Sequence, residues 1–177
     1  MPKMNNVVVK NIIRFVLLVL LQVLVLDTVQ FNGYVIPYVY LLFVLLLPFD
    51  INKSLLLLLA FFTGLSVDFF ENTLGMQAAA VVFMAFARPG VIRFYFPALE
   101  YAKGEEPGLA RLGMAGFLKY AFTLVLLQQL ALTFLEVFSF HNLLHTLSEI
   151  LVNALVTTVG IFIVVLFFTP RKRRRKI

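Results

Sequence analysis

Residues 147–176 read LSEILVNALVTTVGIFIVVLFFTPRKRRRK. The stretch up to Thr169 carries a single charge, Glu149, and about 17–25 apolar residues of helix cross the ~30 Å hydrocarbon core of a bilayer. Pro170 then stops the helix, and six cations follow it: Arg171, Lys172, Arg173, Arg174, Arg175 and Lys176. A basic run that begins where an apolar helix ends resists translocation and is drawn to anionic headgroups. It reads as a lipid and topology anchor in the cytoplasm, with anionic lipid as its partner and no nucleic acid.

The whole composition agrees. The 177 residues are 62% hydrophobic and 14% charged, with a mean hydropathy of +0.97. An ordinary soluble domain is about 25% charged. So few polar residues cannot cover a water-facing surface, whereas lipid solvates the apolar outer faces of helices. There is no cysteine, which excludes disulfides, thiol catalysis and cysteine metal sites. The first apolar stretch, 12–29, is longer than the ~7–15 residues of a signal core, and Gln30-Phe31-Asn32-Gly33 after it is no small-x-small cleavage site. It reads as a retained helix.

Working outward, hydropathy divides the chain into six helices, at 12–29, 34–49, 54–70, 74–92, 113–138 and 147–169, in one membrane domain over 1–177. The second and fourth are short. Arg88 and Arg93 extend the fourth by snorkelling to the headgroups, and Pro89 and Pro97 lie at its exit. With the N-terminus inside and six crossings, all fifteen Lys and Arg residues fall on the cytoplasmic side. That asymmetry is the signature of orientation. The expected fold is an all-α integral membrane bundle of six transmembrane helices with both ends cytoplasmic.

Polar side chains inside lipid are costly and turn toward other helices or a cavity. In the third segment, Gly64 and Asp68 stand four apart, on one face. Glycine admits a close neighbour, so the pair reads as a helix-packing or partner-docking site, or else Asp68 is an interfacial carboxylate touching water. The sixth segment carries Thr146, Glu149, Asn153, Thr157 and Gly160 at spacings that draw one helical stripe. It serves helix packing, with a ligand or proton path as the alternative. Gln129, Thr133 and Glu136 align on the fifth segment, and Gln22 on the first reads as a helix–helix contact. Asp27, Glu136 and Glu149 lie near the outer surface.

Catalytic patterns are missing. His141 and His145 are spaced for one face of a helix, but Asn142 follows His141, so there is no HExxH. No GxSxG, P-loop or GxGxxG occurs. Glu105-Glu106, beside Gly104 and Pro107, reads as solvated turn. No cofactor or metal is expected, and the chain is not expected to be an enzyme.

The sequence GLSVDFFENTLGMQA over residues 64–78 resembles the MreD family of rod-shape-determining membrane proteins. The shared pattern is a glycine, an aspartate four residues on, a short outer turn, and a glycine opening the next helix: Gly64, Asp68 and Gly75. Length, six segments, both ends inside and a basic tail are similar too. The resemblance implies a non-enzymatic scaffold of the bacterial inner membrane. Its partners would be an MreC-like bitopic protein, the elongation glycosyltransferase and transpeptidase, and indirectly an MreB-like filament, together directing lateral peptidoglycan synthesis. On that reading the polar and glycine faces bind the partner's membrane helix. The competing class is the substrate-binding membrane subunit of an energy-coupling-factor type transporter. Such subunits carry a small-xxx-small surface on the first helix, and residues 12–27 here contain no Ala or Gly.

Overall fold

The computed structural model describes residues 2–26, 37–136 and 143–168. All regular structure among them is helical. Six α-helices follow in order: α1 (Pro2–Leu21), α2 (Leu42–Leu45), α3 (Lys53–Glu71), α4 (Met76–Tyr95), α5 (Leu109–Glu136) and α6 (Leu143–Phe168). A π-helical turn, Gln22–Leu26, continues α1, and a 3-10 turn, Val39–Leu41, leads into α2. Four stretches among the described residues are long and apolar enough to cross a membrane: Lys53–Glu71, Met76–Tyr95, Leu109–Glu136 and Thr146–Phe167. The chain is an all-α, multi-pass membrane protein.

The α3–α4 hairpin lies close to its expected bounds because both ends are locally encoded. Asn52 caps α3, its side chain accepting the Ser54 N–H at 3.1 Å. Asn72 ends α3 in the left-handed conformation, and Gly75 opens α4 at φ +89°. Pro89 departs from expectation. It lies inside α4 instead of at its exit, and the helix runs on to Tyr95. α5 starts four residues early, with a break in helical geometry at Gly113 (φ 70°, ψ 172°).

The helix expected over 34–49 is realised only over Val39–Leu45, residues 34–36 lying outside the described set. At about 1.5 Å per residue those seven residues are too short for a span. The reason is burial: every residue from Val39 to Leu47 is at most 8% exposed. Enclosed on all sides, the run is uniformly apolar and so gives no periodicity to read. Pro48 stops it, since the residue before a proline is pushed out of helical geometry.

Around this plug, α3 packs on α4, α4 on α5 and α5 on α6, while α1 and α6 flank the 3-10 turn. One end of the bundle is tied by polar links. The Phe49 N–H donates to the Glu105 carbonyl at 2.9 Å, and the Gly104 N–H donates to Asp50 Oδ1 at 2.9 Å. Lys10 and Arg14 of α1 both reach Glu106, each at 2.9 Å. Arg111 pairs with Glu105 at 3.3 Å. The two glutamates are thus structural anchors, not solvated turn: they sit where two loops and α1 bring cations together.

Candidate functional site

The residues of the 64–78 motif converge. Asp68 sits one turn from the end of α3 and is 4% exposed. Its Oδ1 accepts the backbone N–H of Gln77 at 3.0 Å and its Oδ2 accepts that of Ala78 at 2.8 Å. The Thr73 hydroxyl donates to Oδ1 as well. The first N–H groups of any α-helix lack intrahelical acceptors, and Gly75 has no side chain to cap α4. Asp68 supplies that cap from the neighbouring helix, placing a negative charge at the positive end of the α4 dipole.

Gly64, one turn earlier on the same face, lets the backbones meet. A Cβ there would stand 2.4 Å from Ala78 Cα and 2.6 Å from Ala78 N. No side chain can yield, because the obstructing atoms are main chain. Gly75 contributes conformation only: its φ of +89° favours glycine, and nothing lies within 4 Å of its missing Cβ. Gly64, Asp68 and Gly75 therefore form one clasp between α3 and α4. The face bearing Gly64 and Asp68 is covered by α4 of the same chain, the helix-packing alternative of the expectation. On the outer surface of the hairpin Leu58, Phe61, Leu65 and Phe69 are exposed.

The clasp continues inward. The Gln77 side chain donates to Glu71 Oε2 at 3.1 Å, and its Oε1 accepts the Tyr40 hydroxyl at 2.8 Å and Gln128 Nε2 at 3.3 Å. Four elements, α3, α4, α5 and the 3-10 turn, meet on one amide. Gln22 is fully buried and accepts the Val39 N–H at 2.9 Å, so its contact is with the plug's backbone. On α6, Thr157 accepts the Tyr38 N–H at 3.2 Å, and Gly160 lies against Val39 and Pro37. The rest of that expected stripe diverges: Glu149 is exposed and Asn153 is half-buried. The stripe actually buried is Ile150, Ala154, Thr157, Ile161 and Val165. On α5, Gln129 is buried, Thr133 half-buried and Glu136 exposed.

At the plug's other end stands Arg88, 1% exposed. Its Nε donates to the Tyr120 hydroxyl at 2.8 Å, Nη2 donates to the Leu47 carbonyl, and Tyr120 donates onward to the Leu45 carbonyl at 3.0 Å. The expected snorkelling of Arg88 is therefore corrected. The last carbonyls of α2 lack helical partners, and a cation near a helix C-terminus is favoured. Sequence reading missed Arg88, Tyr120, Gln77 and Gln128 as interior polar residues. The signal available was an arginine and two glutamines within segments otherwise apolar.

Among the described residues, no group of three His, Cys, Asp or Glu side chains is arranged to hold a metal. His141, Asp27 and the basic tail 171–176 lie outside the described residues, as does the side chain of His145. Comparison with protein-family models, with curated proteins and with solved structures finds no match.

Proposed function

We propose that this chain is a non-enzymatic scaffold in the bacterial inner membrane, akin to the MreD proteins, with both ends in the cytoplasm and the plug, in place of a full second helix, bringing the chain back between α1 and α3. It would hold an MreC-like bitopic partner and, through it, the elongation glycosyltransferase and transpeptidase beside an MreB-like filament. The observation that carries this reading is the clasp. All three motif positions, Gly64, Asp68 and Gly75, act together in one rigid hairpin whose outer surface is left apolar for lipid or another helix. The orientation is supported by the polar links at one end of the bundle, which gather Lys10, Arg14 and Arg111 beside the 46–53 turn. Positive charge is retained on the cytoplasmic side.

The test is affinity purification of the tagged protein from its host in mild detergent, with co-purifying proteins identified by mass spectrometry. Recovery of a bitopic cell-wall partner and the elongation synthases is the expected result. Recovery of paired ATPases with a large coupling membrane protein would replace this reading with the transporter one. If the scaffold reading is right, Leu65→Ser together with Phe69→Ser, both outward-facing, weakens the partner's recovery while the protein still accumulates in the membrane.

A further inference from the structure

A second polar feature lies outside the clasp. Beneath the plug, at the end of the bundle where α3 begins and α4 ends, a cavity of about 450 Å³ opens beside Arg88. Its lining includes Lys53, Arg93 and Asp50, with Phe49 and Tyr101 forming one wall, their rings stacked at 5.0 Å. Three cations therefore face one carboxylate. Asp50 has one oxygen already engaged by the Gly104 N–H. None of Lys53, Arg88 and Arg93 has a carboxylate within ion-pair distance among the described residues.

Arg88 is the decisive member. It is 1% exposed, yet its recorded partners are a hydroxyl and a carbonyl, both neutral. Its Nη1 has no acceptor among the described residues. A buried cation without an anion is costly, and a guanidinium offers paired donors shaped for a phosphate or carboxylate. One bond to the Leu47 carbonyl and one to the Tyr120 hydroxyl, which itself donates to the Leu45 carbonyl, explain why Arg88 is held there. They leave its full charge uncompensated, as they do the two cations at the cavity mouth.

We infer that this cavity binds a phosphate group, with Arg88 at its floor and Lys53 and Arg93 at its rim. Basic pockets between membrane helices on the cytoplasmic side take anionic headgroups, and a volume of this size suits a small ligand. The same chemistry fits the phosphodiester of an anionic phospholipid or a free phosphate. This site is independent of the scaffold reading, since it concerns a small anion and not a protein partner.

The experiment is native mass spectrometry of the full chain in detergent, titrated separately with phosphatidylglycerol, phosphatidylcholine and inorganic phosphate. The variant is Lys53→Gln with Arg93→Gln, two exposed positions whose loss leaves the core and the basic tail intact. A lipid source predicts saturable binding of phosphatidylglycerol over phosphatidylcholine. At roughly 1 kcal/mol per cation near the surface, the double variant then weakens it by roughly thirtyfold. A soluble source predicts saturable binding of inorganic phosphate that the same variant weakens. Arg88→Lys, which keeps the charge and loses the paired donors, weakens either by a smaller factor. Equal binding of both lipids without phosphate binding, or binding unchanged in the double variant, would overturn the inference.

Discussion

Asp68 and Gly64 show how a single side chain governs a helix pair inside lipid. Replacing Asp68 by Ala leaves two backbone donors of α4, Gln77 and Ala78, without their acceptor, where an unsatisfied buried group costs about 1–3 kcal/mol. Thermal unfolding in detergent is expected to fall by several degrees, at about 2–4 °C per kcal/mol for a chain of this size. Asp68→Asn keeps one acceptor oxygen and is expected to lose less. Gly64→Ala is expected to be at least as damaging as Asp68→Ala, because its Cβ meets main chain at 2.4 Å and overpacking costs about 1–3 kcal/mol even where neighbours can yield. A Gly64→Ala protein that unfolds at the wild-type temperature would contradict the close approach of α3 and α4. Tyr120→Phe removes a hydroxyl that both accepts from Arg88 and donates to Leu45. The same melting assay is expected to show a loss of about 1 kcal/mol or more.

At the scale of elements, α1 is fastened to the rest of the bundle through Glu106. Arg14 and Glu106 are largely buried, at 17% and 19% side-chain exposure, while Lys10 is 57% exposed. Exposed pairs contribute little, about 0–1 kcal/mol, so Arg14→Gln is expected to loosen α1 more than Lys10→Gln. Hydrogen exchange across residues 9–17 measures this: faster exchange in Arg14→Gln and Glu106→Gln, with Lys10→Gln close to wild type. The same scale shows what sequence reading reaches. α3, α4 and α6 have a lipid-facing side and a packed side and lengths close to a span, and α3 and α4 also have a cap or a glycine at an end, so each is legible within a few residues. The stretch around α2 is not. Its neighbours cover every face, and a run that is apolar all round looks the same whether it crosses the membrane or is wrapped inside the bundle. The clasp was half legible. The spacing of Gly64 and Asp68 gives a shared face, but which helix covers it depends on the turn at 72–75, where Asn72, Leu74 and Gly75 all take positive φ.

For the whole molecule, the distribution of charge predicts sidedness. Lys103 lies in the loop tied to the 46–53 turn, and Glu136 is exposed at the opposite end of α5. The chain has no cysteine, so Lys103→Cys and Glu136→Cys each introduce a unique thiol. With intact cells and a membrane-impermeant maleimide, the thiol at 136 is expected to label directly and the one at 103 only after the inner membrane is opened. The reverse pattern would invert the proposed topology, and labelling of both from one side would contradict it. The depth of Arg88, buried among α2, α4 and α5, is invisible to this charge reading. Counting cations by side assigns it correctly to one end but says nothing of its depth, which comes from the carbonyls that α2 leaves open.

The enclosed stretch from Tyr38 to Leu47 also bears on the order in which the chain is made. Apart from Gln22, which accepts the Val39 N–H, its acceptors and donors come from residues synthesised much later: Gln77, Arg88, Tyr120 and Thr157. A nascent chain that has emerged only through α4 already has Arg88 but lacks Tyr120, Thr157 and Gly160. The plug therefore stays without part of its lining until α6 enters the membrane and closes over the second apolar segment.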